Sequence, residues 1–332
     1  MNKYLVTGNA GFLGSYIADE LLDMGEVYGI DNMSGGFKRN INPKVKHFIL
    51  DLHNPQTKEF INYLKPDYLI YCAADAREGR SQFTPSWVTR DNLMAYTNTL
   101  STCIENGVKK VIYLSSMSVY GKQKPPFDEK KMRAPEDVYA VNKVACERTT
   151  EILCDTHDVR YTIIRPHNCV GKRQRIDDPY RNVIGIWMNR IMQGKPPLIY
   201  GDGKQKRAFT PVDNFTPYVI KSLNKVADGQ IFNIGPDREI TINYACQVVL
   251  DVMGSDLKPE YVPWRPREVK KAWCTVGKAK ELLNYEDKQT FEECVSEMAK
   301  WAKKLGPKPF KHLDKLEINN DKVPAPWRKK TT

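Results

Sequence analysis

Three glycines at fixed spacing, placed directly after the first apolar run, constrain this chain more than any other feature. Tyr4-Leu5-Val6-Thr7 reads as a strand, Gly8-Asn9-Ala10-Gly11-Phe12-Leu13-Gly14 follows at once, and Tyr16, Ile17, Leu21 and Leu22 then recur at helical period. A strand, glycine turn and helix in that order need one glycine for the tight turn. A second lets backbone amides approach a pyrophosphate, and a third lets the helix pack against the strand. The spacing is G-x-x-G-x-x-G, not the commoner G-x-G-x-x-G. Asp31, seventeen positions beyond Gly14, ends the second apolar run in Gly29-Ile30-Asp31-Asn32. A carboxylate there can accept hydrogen bonds from ribose hydroxyls and repels a 2′-phosphate, which favours NAD over NADP. Lys38 and Arg39, close behind, are the residues an NADP site would use.

The same strand-to-helix alternation continues through Glu26–Ile30, Lys46–Leu50, Tyr68–Cys72, Val111–Leu114 and Tyr161–Ile164. Its spacing predicts a Rossmann-type, doubly wound parallel α/β sheet over residues 1–170. Beyond Arg165 the pattern becomes irregular, with Pro196-Pro197, Gly201-Asp202-Gly203 and prolines at 259, 263 and 266. Residues 171–302 are expected to form a smaller C-terminal α/β substrate-binding lobe, some segments of which return to the first domain. Residues 303–332, rich in lysine and proline, read as a basic solvated tail, with Phe310 and Trp327 as its two candidate anchors.

Composition narrows the function classes. With 41% hydrophobic and 27% charged residues in 332, the chain is neither disordered nor fibrous. Its +11 charge suits anionic ligands of any kind. Eight cysteines without a C-x-x-C pair read as free thiols, and no signal-peptide core or 18-residue apolar window is present, so a cytoplasmic protein with no membrane partner is expected.

Tyr139-Ala140-Val141-Asn142-Lys143 puts a phenol and an ammonium at i and i+4 on one helix face, where both reach one ligand. An ammonium beside a phenol lowers the phenol pKa and makes it a usable base. Ser115-Ser116, at the end of a predicted strand and ahead of Val119-Tyr120-Gly121, can offer a hydroxyl to the same substrate oxygen. Asp51-Leu52, after the third strand, reads either as an adenine-side contact or as a turn carboxylate capping the next helix.

Gly8-x-x-Gly11-x-x-Gly14, Ser115-Ser116-x-x-Val119-Tyr120-Gly121 and Tyr139-x-x-x-Lys143 together resemble the extended short-chain dehydrogenase/reductase family, in particular its nucleotide-sugar epimerases and dehydratases. Arg165-Pro166-His167-Asn168-x-x-Gly171, Gly201-Asp202-Gly203, Arg207-x-Phe209-x-x-Val212-Asp213 and Arg265-Pro266 carry the likeness to about residue 302. The resemblance implies Ser116, Tyr139 and Lys143 as catalytic residues. It implies an NAD site of Gly8, Gly11, Phe12, Leu13, Gly14, Asp31, Asn32, Asp51, Leu52, Ala73, Ala74, Asn92, Ser115, Tyr139, Lys143 and Pro166. Ser116, Asn168, Arg207, Arg265 and Ala272 would hold a nucleotide-sugar substrate, most simply a UDP-sugar, with the two arginines on its pyrophosphate. A homodimer formed by the helices around Asn92–Glu105 and Tyr139–Cys154 is likewise implied.

Within that family the residues after the catalytic serine sort the reactions. A 4,6-dehydratase would need an Asp-Glu pair where Met117-Ser118 stand, and a UDP-glucuronate decarboxylase a glutamate at Ser118. Neither is present, and what remains matches C4 epimerisation through a transient 4-keto sugar, needing no further acid or base, with a 4-keto reductase as the alternative within the family. Ala272, counted from Arg265, falls where 4-epimerases limit room beside the C2 substituent, so N-acetylated sugars are expected to fit as well as hexoses. Ala76 falls where some epimerases carry a lysine. Arg77 or Arg80 reads either as a contact to a carboxylated sugar such as UDP-glucuronate or as a solvent-facing loop charge. His167 is read as a packing residue, since no second histidine has ligand spacing and no metal is expected. A non-catalytic fold binding RNA or protein is the competing class, disfavoured because the basic runs lack interleaved aromatics.

Overall fold

Tyr4 and Val6 in β1 (Lys3–Thr7) face one side of their strand and Leu5 the other, and all three are buried. A strand covered on both faces belongs to a parallel sheet with helices on each side. That is the architecture of the computed structural model, which describes residues 1–327. β2 (Glu26–Asp31), β3 (Lys46–Ile49), β4 (Tyr68–Tyr71), β5 (Lys110–Leu114), β6 (Arg160–Pro166) and β7 (Gln230–Ile234) complete a seven-stranded sheet. Its order is β7-β6-β5-β4-β1-β2-β3 and every adjacent pair is parallel. The six runs expected from the sequence are its first six strands; β7 was not anticipated.

Nine helices are relevant here: α1 (Phe12–Leu21), α2 (Pro55–Leu64), α3 (Ala95–Glu105), α4 (Val138–Thr156), α5 (Val183–Met192), α6 (Thr216–Lys221), α7 (Ile242–Met253), α8 (Gly277–Leu283) and α9 (Phe291–Leu305). α1, α6 and α8 cover one sheet face, where Ile17, Leu21, Val219, Ala279 and Leu283 pack on Val6, Ile70, Ile112 and Phe232. α2, α3 and α4 cover the other, with Ile61, Tyr96, Leu100 and Cys146 against Leu69, Tyr71, Val111 and Tyr113. Local chemistry starts these helices where they start. Asn54 caps α2 ahead of Pro55, and the Asp137 carboxylate accepts the Ala140 amide at the head of α4. α4 thereby presents Tyr139 and Lys143 at the end of β5.

The second lobe has its own core of α5, α7 and α9, with Trp187, Met188, Val249, Val295 and Met298 at its centre. It is not one continuous stretch, because α6, β7 and α8 return to the sheet. The segment after α9 departs from the solvated tail expected of its composition. Leu316, Val323 and Trp327 are buried with Phe83 and Tyr180, because apolar residues spaced among the lysines find a joint apolar surface on both lobes. Its last part, residues 328–332, lies outside the described residues. Among the described residues no helix is long and apolar enough to cross a membrane.

Candidate active site

β1 and β4 are neighbours in the sheet while their following connections diverge to opposite faces, and a crevice opens where the winding reverses. The Gly8 turn lies at that point. Gly8 has φ +71°, and a Cβ there would come within 2.9 Å of the Ala73 backbone. A Cβ on Gly14 would lie 2.2 Å from the Gly8 carbonyl oxygen, so any side chain would push α1 off the turn. Thr7 Oγ1 accepts the Cys72 and Ala73 amides at 3.1 and 3.2 Å, which ties the two loops together. They form the floor of a cleft of about 730 Å³ running between the lobes.

Gly8, Gly11, Phe12, Leu13 and Gly14 line this cleft at the head of α1, whose cap residue Gly11 has no side chain to occupy the first amides. Asp31 stands across from them, its oxygens accepting the Ala10 amide at 3.1 Å and the Met33 amide at 2.7 Å. Burial raises the Asp31 pKa against those two bonds. Asn32, Asp51, Leu52, Ala73, Ala74 and Pro166 complete the wall. Asp51 accepts from Asn32 and the His53 amide, and it is Asn54 that caps α2. A glycine cradle that Cβ atoms would fill, open helix amides and an acidic residue at the end of β2 fit a dinucleotide. Neither Lys38 nor Arg39 lines the cleft, and Arg39 stacks on the Phe37 ring at 3.8 Å, which favours NAD over its 2′-phosphate. Asn92 is a correction. It lies behind the wall, exchanging two hydrogen bonds with the Asp75 backbone at 2.7 and 3.1 Å, and supports the loop instead of lining it.

Ser115, Ser116, Tyr139 and Lys143 meet at the centre of the cleft. Lys143 Nζ donates to the Leu114 carbonyl at 2.6 Å and lies 5.7 Å from the Tyr139 ring centre. Ser116 Oγ accepts from the Ser118 amide and hydroxyl at 3.1 and 2.9 Å, which leaves its own proton for Tyr139 or a bound oxygen. Burial, then the Glu78 charge, push the Tyr139 phenol up, while the Ser116 hydrogen bond pulls it down. Burial lowers Lys143 to about 8. The geometry is that of a buried phenol with a hydroxyl donor on one side and a poised amine on the other.

Toward the second lobe, Asn168 lines the cleft and donates to the Ala208 carbonyl at 2.8 Å. Arg207 and Arg265 converge on Glu268, at 2.9 and 2.7 Å, so both forks are held at one place with a carboxylate between them. Ala272 does not join them. It packs in the layer behind with Met117, Tyr120, Phe127 and Cys274, because the short strand Lys271–Ala272 pairs with Lys206–Arg207 and turns its methyl to that cluster. The expectation that it opens room at C2 is therefore withdrawn. Arg77 and Arg80 are not solvent-facing. Arg77 bridges Asp75 and Asp178, each at 2.7 Å, and Arg80 also pairs with Asp75. His167 is fully buried against Gly235.

Sequence reading passed over Asp137, Glu147, Glu268 and Arg181, and in the segment after α9 it singled out only Phe310 and Trp327. Only Glu147, at i+4 from Lys143, had a spacing that could have drawn notice. Burial, then the neighbouring Glu78 charge, raise Asp137 to about 7. An acid whose folded pKa exceeds its unfolded one binds an extra proton when folded, so stability falls as pH rises between the two values. Thermal melting from about pH 4 to about pH 7 should therefore show a smaller decline in Asp137→Asn, which keeps the cap, than in the parent chain; equal slopes would contradict the assignment.

Comparison with known proteins accords with this geometry. The NAD dependent epimerase/dehydratase family profile matches residues 4–235. A UDP-glucuronate 4-epimerase from Thermodesulfobacterium geofontis is 31% identical over 318 residues, covering 91% of this chain and 97% of its own. The crystal structure of a Thermotoga maritima UDP-glucose 4-epimerase with UDP-glucose superposes with a TM-score of 0.87 at 29% identity, covering 91% and 99% of the two chains. A Bacillus cereus UDP-glucuronic acid 4-epimerase in complex with UDP-glucuronic acid and NAD gives 0.84 at 25% identity, covering 91% and 99%. With its glycine cradle, its acidic strand end and its Ser116, Tyr139 and Lys143 cluster in one cleft, this chain belongs to the NAD dependent epimerase/dehydratase family.

Proposed function

We propose that the protein is an NAD-dependent 4-epimerase of UDP-sugars. The observation that carries the reading is the meeting of Ser116, Tyr139 and Lys143 beside the glycine cradle, with no acid or base at Met117 or Ser118 to divert a keto sugar into elimination or decarboxylation. Tyr139 takes the proton of the sugar 4-hydroxyl and later returns it. Ser116 donates to the same oxygen throughout, and the Lys143 ammonium offsets the phenolate charge. The glycine cradle and Asp31 would hold NAD, which would supply reversible hydride exchange at C4 of the sugar. Arg207 and Arg265 hold the pyrophosphate, which displaces Glu268 from between them as the stronger anion.

A carboxylated sugar is favoured by one further observation. Arg77, Arg80 and Arg181 pair with Asp75 and Asp178, a surplus of one cation among these five. The buried Arg181 Nε, 3.8 Å from Asp178, makes no hydrogen bond among the described residues, and its charge acts on Tyr139. A carboxylate at C6 of UDP-glucuronate would satisfy it. The same reading pairs two subunits through α3 and α4, where Val141 and Ile152 leave an exposed apolar stripe on α4.

Proton NMR after incubation with UDP-glucose, UDP-N-acetylglucosamine and UDP-glucuronate, each with added NAD, tests the reaction and the sugar together. C4 epimers should form, fastest from UDP-glucuronate, in a protein that elutes as a dimer. Absence of any epimer would overturn the reaction, and equal rates in the parent chain and Arg181→Ala would overturn the carboxylate assignment.

A further inference from the structure

The relatives above are matched over 97–99% of their own length, yet they leave about a tenth of this chain unmatched. The segment after α9 is of that size, and it crosses the cleft. It begins on the second lobe, where the Lys308 backbone exchanges hydrogen bonds with Asn189 and the Lys311 amide donates to the Asp177 carbonyl at 2.9 Å. Leu313 donates its amide to the Tyr180 hydroxyl at 3.0 Å. The chain then reaches the sheet domain. Ile318 bonds the Phe83 carbonyl, and the Glu317 carboxylate accepts the Ser86 and Trp87 amides at 2.9 and 2.8 Å. Trp327, 4% exposed, sits between Tyr180, Phe83 and Tyr200.

Trp327 touches both halves of the substrate region. Its ring lies so close to Gly79 that a Cβ there would come within 2.9 Å of it, and the Arg265 guanidinium, which borders the same glycine, stacks over Tyr200 at 5.2 Å. On its other side Tyr180 carries Arg80 over its ring at 5.4 Å. Phe310, Leu313 and Trp327 themselves line the cleft. Trp327 and Arg265 thus border the same glycine, and the bonds of residues 308–318 join the strap to both lobes.

We propose that this strap is a built-in part of the substrate site, with Trp327 as a positioning residue for Arg265, and that it retains the keto sugar until reduction is complete. The proposal rests on the epimerase reading for its second half. A 4-epimerase oxidises its substrate and must give the same hydride back. If the 4-keto sugar leaves early, the enzyme is stranded with reduced cofactor and an oxidised sugar is lost to solution. Binding must therefore outlast a rotation of the sugar within the site, and a strap joined to both lobes supplies that residence.

The experiment compares the full chain with Trp327→Ala, Trp327→Phe and Glu317→Gln, after melting curves show that each is folded. UDP is titrated by calorimetry. Separately, the 4-keto sugar released from each UDP-sugar is captured with hydroxylamine and counted against the C4 epimer formed. Trp327→Ala should weaken UDP binding about tenfold, as expected for loss of a buried aromatic anchor. It should also raise the ratio of released ketone to epimer, with Glu317→Gln intermediate and Trp327→Phe near the parent. Unchanged UDP affinity together with an unchanged ratio would overturn the proposal. If the full chain makes neither epimer nor ketone, the epimerase reading fails on its own, and UDP affinity alone then decides whether the strap belongs to the nucleotide site.

Discussion

Tyr139→Phe is expected to lower the epimerisation rate by about 10²–10⁴-fold, the usual contribution of a positioned acid–base group. The bound NAD content should stay unchanged. The ring is almost fully buried on α4 and its phenyl part is retained, so packing, the helix and the glycine cradle are preserved. Only the hydroxyl is lost, and with it the acceptor for the 4-hydroxyl proton and the partner of Ser116. Initial rates by NMR, together with the cofactor released on acid denaturation, read the two quantities separately. A rate within about threefold of the parent, at equal NAD content, would remove Tyr139 from the chemistry, since one named proton carrier cannot be worth so little. A lost cofactor would instead make it a binding residue.

How much of this was legible in the sequence follows from the range of the interactions involved. The cradle, Asp31 and the Tyr139/Lys143 pair are set by spacings within one turn, one strand or one helix, and they reappear in one cleft. β7 was not anticipated because its five residues follow a long irregular stretch, and only pairing with β6 makes them a strand. Ala272 was misplaced for a related reason: counting along the chain gives an approximate position, whereas the strand pairing with Lys206–Arg207 sets which way the side chain turns. The strap was read as a solvated tail with only Phe310 and Trp327 as anchors because lysine and proline dominate its composition. Its five apolar anchors are spread over residues 310–327, with no period to mark them, and find their partners on two lobes. The counter-charges were invisible for the same reason. Nothing local ties Asp178 to Arg77 or Glu147 to Arg165.

Glu147→Ala should be the most destabilising single substitution near the site, at about 3–5 kcal/mol, because it leaves a buried guanidinium without its partner. Glu147 is fully buried one helical turn beyond Lys143. It accepts Arg165 through both oxygens at 2.8 and 2.6 Å, Arg133 at 2.6 Å and the Ser115 hydroxyl at 2.5 Å. Burial alone would raise its pKa, yet the Arg165 hydrogen bonds hold it below the usual carboxylate range. This stabilisation is therefore present at neutral pH and lost as pH falls through the lowered value. Urea denaturation of Glu147→Ala should reveal the loss, and a change under about 1 kcal/mol would show the pair to be dispensable. Replacing both partners, Glu147→Met with Arg165→Met, removes the stranded charge and should restore much of the stability. Activity should not return with it. Glu147 also holds Ser115, and through that turn it fixes where Ser116 meets Tyr139, a task no methionine can perform. A double variant both as stable and as active as the parent would reduce Glu147 to a packing role.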